Sequence, residues 1–379
     1  MRILILNWRD PRHPWAGGAE VFLHQVARHW IRWGHTVTWL CSRHPSQAQY
    51  DQIEGIQIVR AGGIYSVYPT AAAVYLFKLH QQYDLLFDSV NGIPFFTPLY
   101  STKPKVSLVH HIHSEVFFRE LPPHLAHLGS FLESICMPLV YRRTPFVAVS
   151  DSTRQSMIQI GIPDHQITVI HNGVDNLSYT PGTKSDSPRI IFVGRLRRYK
   201  SVDVLIRAMP LVLLKIPNLR LDIVGSGPMA DELHRLADNL CVSGSIRFHG
   251  FVSERNKVEF LRQAHLAIQP SMKEGWGLTV LEANACGTPV VAANVPGLID
   301  SVVHGKTGIL VPHGDPDALA QEVVALLIDA DRRSKMSQAA VAWSQQFNWE
   351  QTARSCLELL TRQVQDVPTK IPATRRKTE

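Results

Sequence analysis

The run "EGWGLTVLEANACGTPVVA", residues 274–292, sets Glu274 and Glu282 on either side of a helix start. Gly275 and Gly277 keep Glu274 in a loop, and the sequence predicts a helix over 278–286 with Gly287 as its C-cap. Free N–H groups in the first turn of a helix attract anions, and flanking glycines let the backbone come close to a phosphate. Carboxylates repel phosphate but accept hydrogen bonds from hydroxyls. A ligand with phosphate in its middle and polyols at both ends satisfies both conditions, and a nucleoside-diphospho-sugar is such a ligand. Glu274 then takes the sugar hydroxyls and Glu282 the ribose. Taken alone, the segment fits equally well two carboxylates favoured by the helix dipole.

Three further groups bear on the same chemistry. In "FVGRLRRYK", Arg195 and Lys200 leave a predicted strand at its carboxyl end, where two cations can neutralise a diphosphate without a metal; a solvated basic loop is the plainer alternative. In "HPWAGGAEVF", Gly17 and Gly18 allow a close approach to phosphate or sugar, or simply form a turn. In "SLVHHIHSE", alternation sends His111 and His113 to one face and His110 to the other. A zinc site would need further ligands that the sequence does not place, which favours a polar or acid–base histidine at a cleft. "VGSGPMA" imitates a dinucleotide fingerprint but lacks the acidic residue about twenty positions on. The Asp-x-Asp of Asp315 and Asp317 reads as a helix N-cap with Pro316 at the first helical position, not as a metal site.

Elements that alternate between short apolar runs and amphipathic segments must position these residues. "MRILILNW", "GHTVTWLCS", "IQIVRAGG", "DLLFDSV", "VSLVHH", "FVAVS" and "QITVIHNGVD" read as strands, with a helix over 18–33 after the first. Residues 176–188 are rich in Pro, Gly, Ser and Thr and lose all periodicity, as a linker does. The alternation then resumes with "RIIFVGR", "LRLDIVGSG", "SIRFHGFV", "HLAIQPS", "TPVVAAN" and "GILVP", with helices over 201–214, 229–239 and 254–263. The expected organisation is two doubly wound α/β domains, 1–175 and 189–348, followed by a C-terminal helix and basic tail over 349–379. Whether that helix returns to the first domain is not legible from periodicity. Ligands of open α/β sheets bind at strand carboxyl ends, so the expected site is the cleft between the two domains.

Composition narrows the classes. The five cysteines are scattered and never form a Cys-x-x-Cys pair, which argues against disulfide scaffolds and structural zinc. The net charge of +7 favours an anionic partner, but no nucleic-acid-binding signature accompanies it. The opening apolar stretch is too short for a signal peptide and no run reaches membrane-span length, so a cytoplasmic protein is expected. The positive charge, with Trp8, Trp15, Trp30 and Trp33 near the start, suggests peripheral contact with an anionic membrane.

In this order, Gly-Gly-Ala-Glu, "GHTVTW", a histidine at a mid-domain strand end, "VSDSTR", "HNGVD", "VGRL" with Lys200, "VGSGP" and Glu-x7-Glu resemble a family 4 glycosyltransferase of the GT-B fold, over roughly residues 1–348. The resemblance implies two Rossmann-like domains facing a central cleft, the first for the acceptor and the second for a nucleotide sugar. It implies retaining, metal-independent transfer of a hexosyl group to a glycan or lipid-linked acceptor, as in polysaccharide biosynthesis, with no cofactor. By the same resemblance, Arg195 and Lys200 match the diphosphate pair. Glu274 matches the donor-sugar carboxylate, with the backbone of Gly275, Trp276, Gly277 and Leu278 beside it, and Glu282 matches the ribose binder. Gly17 and Gly18 match the loop nearest the diphosphate. His110 matches the histidine near the reacting sugar, with His111, where many members carry Asp, as the other candidate. A non-hydrolysing sugar-nucleotide epimerase is the rival enzyme and a sugar-nucleotide-binding scaffold the non-enzymatic one. UDP-glucose, GDP-mannose and UDP-N-acetylglucosamine all stay open as donors.

Overall fold

In the computed structural model, which describes residues 1–365, the first strand β1 (Arg2–Leu6) is buried on both faces. Such a continuous aliphatic run belongs at the centre of a parallel sheet. Around it the first half of the chain lays down α1 (Gly18–Arg32), β2 (Thr36–Cys41), β3 (Tyr50–Ile53), β4 (Ile56–Arg60), α2 (Val67–Val74), β5 (Leu85–Val90) and β6 (Lys105–Val109). Then come α3 (Ser114–Glu120), α4 (Pro123–Phe131), α5 (Met137–Val140), β7 (Phe146–Ala148), α6 (Asp151–Gln159) and β8 (Ile167–Val169). The sheet order is β3-β4-β2-β1-β5-β6-β7-β8, parallel except at the β3–β4 edge.

Between β8 and β9 (Arg189–Val193) the chain carries no strand or helix beyond an isolated bridge at Val174. The second half then repeats the logic with α7 (Val202–Lys215), β10 (Arg220–Val224), α8 (Ala230–Asn239), β11 (Ile246–Gly250), α9 (Glu254–Gln263), β12 (Leu266–Gln269) and α10 (Leu278–Ala285). It continues with β13 (Val290–Ala293), α11 (Leu298–Ser301), β14 (Gly308–Val311), α12 (Pro316–Ile328), α13 (Ala330–Ser344) and α14 (Trp349–Gln365). Its six strands are all parallel, in the order β11-β10-β9-β12-β13-β14. The glycines of the false dinucleotide fingerprint have a packing role here. A Cβ at Gly225 would stand 1.9 Å from the Gly194 carbonyl oxygen, and one at Gly227 2.3 Å from that of Leu196. At the start of α12, Asp315 accepts hydrogen bonds from the N–H groups of Asp317 and Ala318, with Pro316 in the first turn.

Two features depart from, or add to, the sequence reading. Strand β3 has only Ile53 buried, so it lacks the apolar signal of a strand; it forms because Glu54 and Gly55 both take positive φ in a two-residue hairpin turn onto β4. The four early tryptophans do not form an exposed cluster: Trp30 is fully buried, Trp8 and Trp33 are partly buried, and Trp15 alone is exposed. The expected tail "TRRKTE" lies outside the described residues.

Helix α14 does return to the first half. Trp30 donates its indole N–H to the Ala353 carbonyl at 3.0 Å, and Trp349 stands edge-on to Phe22 of α1. The chain crosses back beside its outward crossing, where a Cβ on Gly173 would meet the Trp349 nitrogen at 2.3 Å. Trp30 also packs edge-on against Phe87 of β5. Trp30→Ala is therefore expected to lower the unfolding free energy by about 3–5 kcal/mol, and Trp30→Phe, which loses the hydrogen bond and part of the ring volume, by about 2 kcal/mol. Urea unfolding checks both; equal losses would mean that indole packing does not hold α14 in place.

Candidate active site

The order of the second sheet reverses between β9 and β12, so the loops leaving these neighbours diverge and open a crevice at their carboxyl ends. Arg195 and Lys200 follow β9, and Glu274 follows β12. A short 3₁₀ turn, Arg198–Lys200, ends at Ser201 with φ of 50° and turns the chain into α7. That turn brings the Lys200 ammonium within 2.5 Å of Glu274 Oε1, with both side chains largely buried. Burial pulls the Lys200 pKa down, but Glu274 and Tyr199 carry it above its ordinary value. Burial likewise pushes Glu274 up, and Lys200 and Ser271 more than compensate, holding it below the usual carboxylate range. The sequence assigned these two residues to separate parts of a ligand; the structure pairs them with each other.

Arg195 reaches across to the other half. Its guanidinium lies against Gly17, where a Cβ would stand 3.5 Å from Cζ, and Nη1 donates to the Trp15 carbonyl at 3.4 Å. Nη2 donates to the Tyr199 hydroxyl at 2.9 Å, and the Lys200 ammonium sits 5.2 Å from the Tyr199 ring centroid. One tyrosine thus braces both cations. Gly18, by contrast, faces open space.

The opposing wall begins at the end of β1. Glu20 accepts from the Gly17 N–H at 2.7 Å, from Asn7 Nδ2 at 3.1 Å and from Arg9 Nε at 3.3 Å, all buried or nearly so. Burial lowers the Arg9 pKa, with Glu20 opposing. The histidines sit beyond β6. His111 and His113 stack at 3.8 Å between ring centroids, on one side as alternation requires. His110 is buried edge-on against Phe22 and its Nε2 has no hydrogen-bond partner. His111 is the histidine whose charge would act on Glu274; His110 feels Glu20 instead. Among the described residues no group of three His, Cys, Asp or Glu side chains could hold a metal.

The two walls meet at Gly275. A Cβ there would lie 2.5 Å from the His110 carbonyl oxygen, so only glycine permits this approach. Thr153 reinforces it by donating to the same His110 oxygen at 2.9 Å, while Asp300 accepts from the Ser152 N–H at 3.3 Å. Lys273 pairs with Glu115, and Arg197 with Glu120, across the same seam. The Trp276 side chain turns away from the crevice and stacks on His171 at 4.1 Å, leaving only its backbone near Glu274. Gly277, at φ of 75°, is the N-cap of α10, and no side chain caps that helix at Leu278. Deeper in the fold, Lys257 Nζ donates to Glu282 Oε1 at 3.0 Å, and Oε2 has no partner among the described residues. Burial raises the Glu282 pKa, with Lys257 opposing.

The structure thus brings Gly17, Arg195, Lys200, Glu274 and Gly275 to one seam, with Glu282 on the helix behind it. Arg9, Glu20, Tyr199 and Lys273 were not singled out from the sequence. For Glu20 a signal existed, because Gly17-x-x-Glu20 has the spacing of a capping box. For Arg9 and Tyr199 none did, since their places follow from which strands are neighbours.

Two open parallel sheets with facing carboxyl edges and a cation–carboxylate set between them define a two-domain protein of the GT-B fold. Residues 16–176 match the model of Glycosyltransferase Family 4, and residues 175–343 that of Glycosyl transferases group 1. The chain belongs to this glycosyltransferase family. It is 32% identical over 242 residues to D-inositol 3-phosphate glycosyltransferase 2 of Catenulispora acidiphila, covering 58% of this chain and 56% of that protein. The chain therefore spans little more than half the length of such relatives. An uncharacterized glycosyltransferase of Methanocaldococcus jannaschii is 27% identical over 389 residues, covering 95% and 97% of the two chains. Sucrose-phosphate synthase from Thermosynechococcus elongatus superposes with a TM-score of 0.81 at 21% identity, covering 96% of this chain and 98% of that one. Anabaena HepE in complex with UDP and glucose gives 0.78 at 21% identity, covering 96% and 100%.

The buried histidines make a pH prediction. Burial lowers His110 to about 4, with Glu20 opposing. In the unfolded chain the group titrates near 6.5, so between those values the unfolded state binds more protons and stability falls as pH decreases. The loss for His110 is at most about 1.4 kcal/mol per pH unit. Glu133, raised by burial to about 7, acts with the opposite sign, so the comparison with a variant is what isolates the histidine. Urea midpoints for wild type and His110→Gln, measured from neutral pH down to about 5, should diverge with the variant less acid-sensitive. Parallel curves would mean that His110 is not held neutral by burial.

Proposed function

We propose that the chain transfers a hexosyl group from a nucleoside-diphosphate sugar to a hydroxyl of a glycan or lipid-linked acceptor, with retention of configuration and without a metal ion. The carrying observation is the convergence of Arg195, Lys200 and Glu274 at the reversal point of the second sheet, facing Gly17 of the first half. Family membership supports the same class, as does HepE, a protein of like fold whose structure contains UDP and glucose.

In this reading the diphosphate of the donor enters between Gly17 and the Arg195–Lys200 pair. Negative charge grows on it as the glycosidic bond breaks, and fixed cations aimed at that charge lower the barrier. Lys200 then bridges phosphate and Glu274, and the carboxylate, already oriented by Lys200, accepts from the sugar hydroxyls. Glu282, whose Oε2 is buried without a partner among the described residues, takes the ribose. The acceptor hydroxyl attacks from the leaving-group face, which preserves the anomeric configuration, and a diphosphate oxygen takes its proton. His110 or His111 lines the sugar from the first half, which binds the acceptor; residues 189–348 bind the donor. The metal-independent reading is supported by Asp315, whose carboxylate is spent on a helix cap. An epimerase reading draws less support because the buried carboxylates of the first half are engaged: Asp10 by Arg60, Glu20 by Arg9, Asp88 by Thr97 and Tyr141. Among the described residues no helix is long and apolar enough to cross a membrane.

A panel of UDP-glucose, GDP-mannose and UDP-N-acetylglucosamine, read by nucleoside diphosphate release with and without acceptor, tests the class; turnover to an epimeric sugar without acceptor would overturn it. Lys200→Ala and Arg195→Ala should each lower kcat/KM about 10²-fold or more, roughly 2.7 kcal/mol, and activity should survive EDTA. Full inhibition by EDTA, reversed by Mn²⁺ or Mg²⁺, would instead assign the diphosphate to a metal.

Gly275→Ala offers a separate check on the seam. The new methyl group meets a backbone oxygen, so the Glu274 loop must move, and displacement at a reacting centre typically costs about 10²-fold in turnover. Wild-type kinetics in a folded Gly275→Ala protein would show that the approach of the two loops does not matter to the reaction.

A further inference from the structure

From Pro123 the chain runs as one helical rod through α4, a π turn at Leu132–Cys136 and α5 to Val140. Its 18 residues reach about 27 Å. The inner side buries Ala126, Gly129, Glu133 and Met137. The outer side reverses the pattern of a soluble helix. Leu128, Phe131, Ile135 and Leu139 are 52, 54, 51 and 64% exposed, and their spacing of three or four sets them in one stripe. No Asp, Glu, Lys or Arg is exposed on the rod. A helix turned to water carries charges on that face, and a contiguous apolar stripe marks a surface that something covers.

What covers it is indicated at the two ends. At one end Phe118, half exposed, packs edge-on against His127 and extends the stripe toward the seam. At the other end Val140 walls a cavity of about 500 Å³ that Lys103, Lys105, Arg142 and Arg143 also line, with no carboxylate lining it among the described residues. Lys105 is partly buried there, its ammonium donating to the Ser101 carbonyl at 2.8 Å. Burial pulls its pKa down and the buried Asp88 only partly opposes this, so an anion in the cavity would be favoured. An apolar stripe continuous with a basic cavity needs one partner that is oily along its length and anionic at its margin.

We propose that this rod and its basic cavity dock the protein on an anionic phospholipid surface, the stripe entering the acyl boundary and the cavity receiving a headgroup phosphate. The early tryptophans play no part in this surface. The inference deepens the lipid-linked branch of the proposed function and rests on that reading for its purpose. A lipid surface supplies both chemistries at once, and the net charge of +7 adds long-range attraction.

Flotation of the full chain with vesicles of phosphatidylcholine alone, or mixed with phosphatidylglycerol, tests it. The mixed vesicles should carry the protein, less so as salt rises, and the neutral ones should not. Phe131→Ser with Ile135→Ser, and separately Arg142→Glu with Arg143→Glu, should each lower the bound fraction about tenfold or more. These side chains are exposed, so both variants should fold and release nucleoside diphosphate from a soluble assay at the wild-type rate. Failure to float with mixed vesicles, or wild-type recovery of either variant, overturns the proposal. So does a dimer in sedimentation velocity that the serine pair dissociates, because a second copy would then cover the stripe. Flotation as expected without turnover of any donor would sink the catalytic reading and leave the docking surface standing; turnover without flotation would do the reverse.

Discussion

The close approach of Gly275 to the His110 carbonyl is the constraint on which the site depends. Two sheets built separately must present their carboxyl edges to each other within van der Waals distance. Side chains cannot interdigitate there without filling the crevice, so the contact is made by backbone, and glycine is the residue that leaves room for it. Around this point the other crossing contacts fall into place: Thr153 on the same oxygen, Asp300 on the Ser152 N–H, Arg195 over Gly17. Helix α14, fixed to α1 through Trp30, ties the far side of the seam.

Electrostatics at the seam follow one pattern. Lys200 is paired with Glu274, Arg9 with Glu20 and Lys257 with Glu282, each with at least one partner nearly buried. Buried ion pairs are weak contributors to stability, because desolvation of both charges offsets most of their attraction. Arg9, Lys200 and Glu274 stand in loops beyond strand ends, whereas Glu20 lies in the first turn of α1 and Lys257 and Glu282 on α9 and α10. The carboxylates respond differently: Lys200 holds Glu274 below the usual carboxylate range despite its burial, whereas burial pushes Glu282 up against the pull of Lys257.

The first half also carries a surface unrelated to the seam in chemistry but continuous with it in space. The rod that runs from Pro123 to Val140 buries a carboxylate, Glu133, and exposes leucine, isoleucine and phenylalanine. Glu133 is satisfied from within by the His113 N–H and the Ser114 hydroxyl. It therefore links the rod to the histidine loop, so that the outer surface and the cleft share one set of contacts.

Much of the fold is legible without coordinates. The aliphatic runs of β1, β9 and β12, the N-cap at Asp315 and the glycines around Glu274 each follow from local preference, which acts over a few residues and needs no partner. The types of residue at the candidate site were legible for the same reason: Arg195 and Lys200 follow a predicted strand, and Glu274 lies in a glycine-bounded loop before a predicted helix. Strand β3 was not, because a polar edge strand is made by its hairpin turn and its neighbour. The pairing of Lys200 with Glu274, the bracing by Tyr199, the placement of Arg9 and the return of α14 to α1 were not either. They depend on strand order and on how one half faces the other, which are set by contacts between residues far apart in the chain. The apolar face of the rod was hidden for a related reason: sequence shows which residues are apolar, and only the packed structure decides which of them remain uncovered.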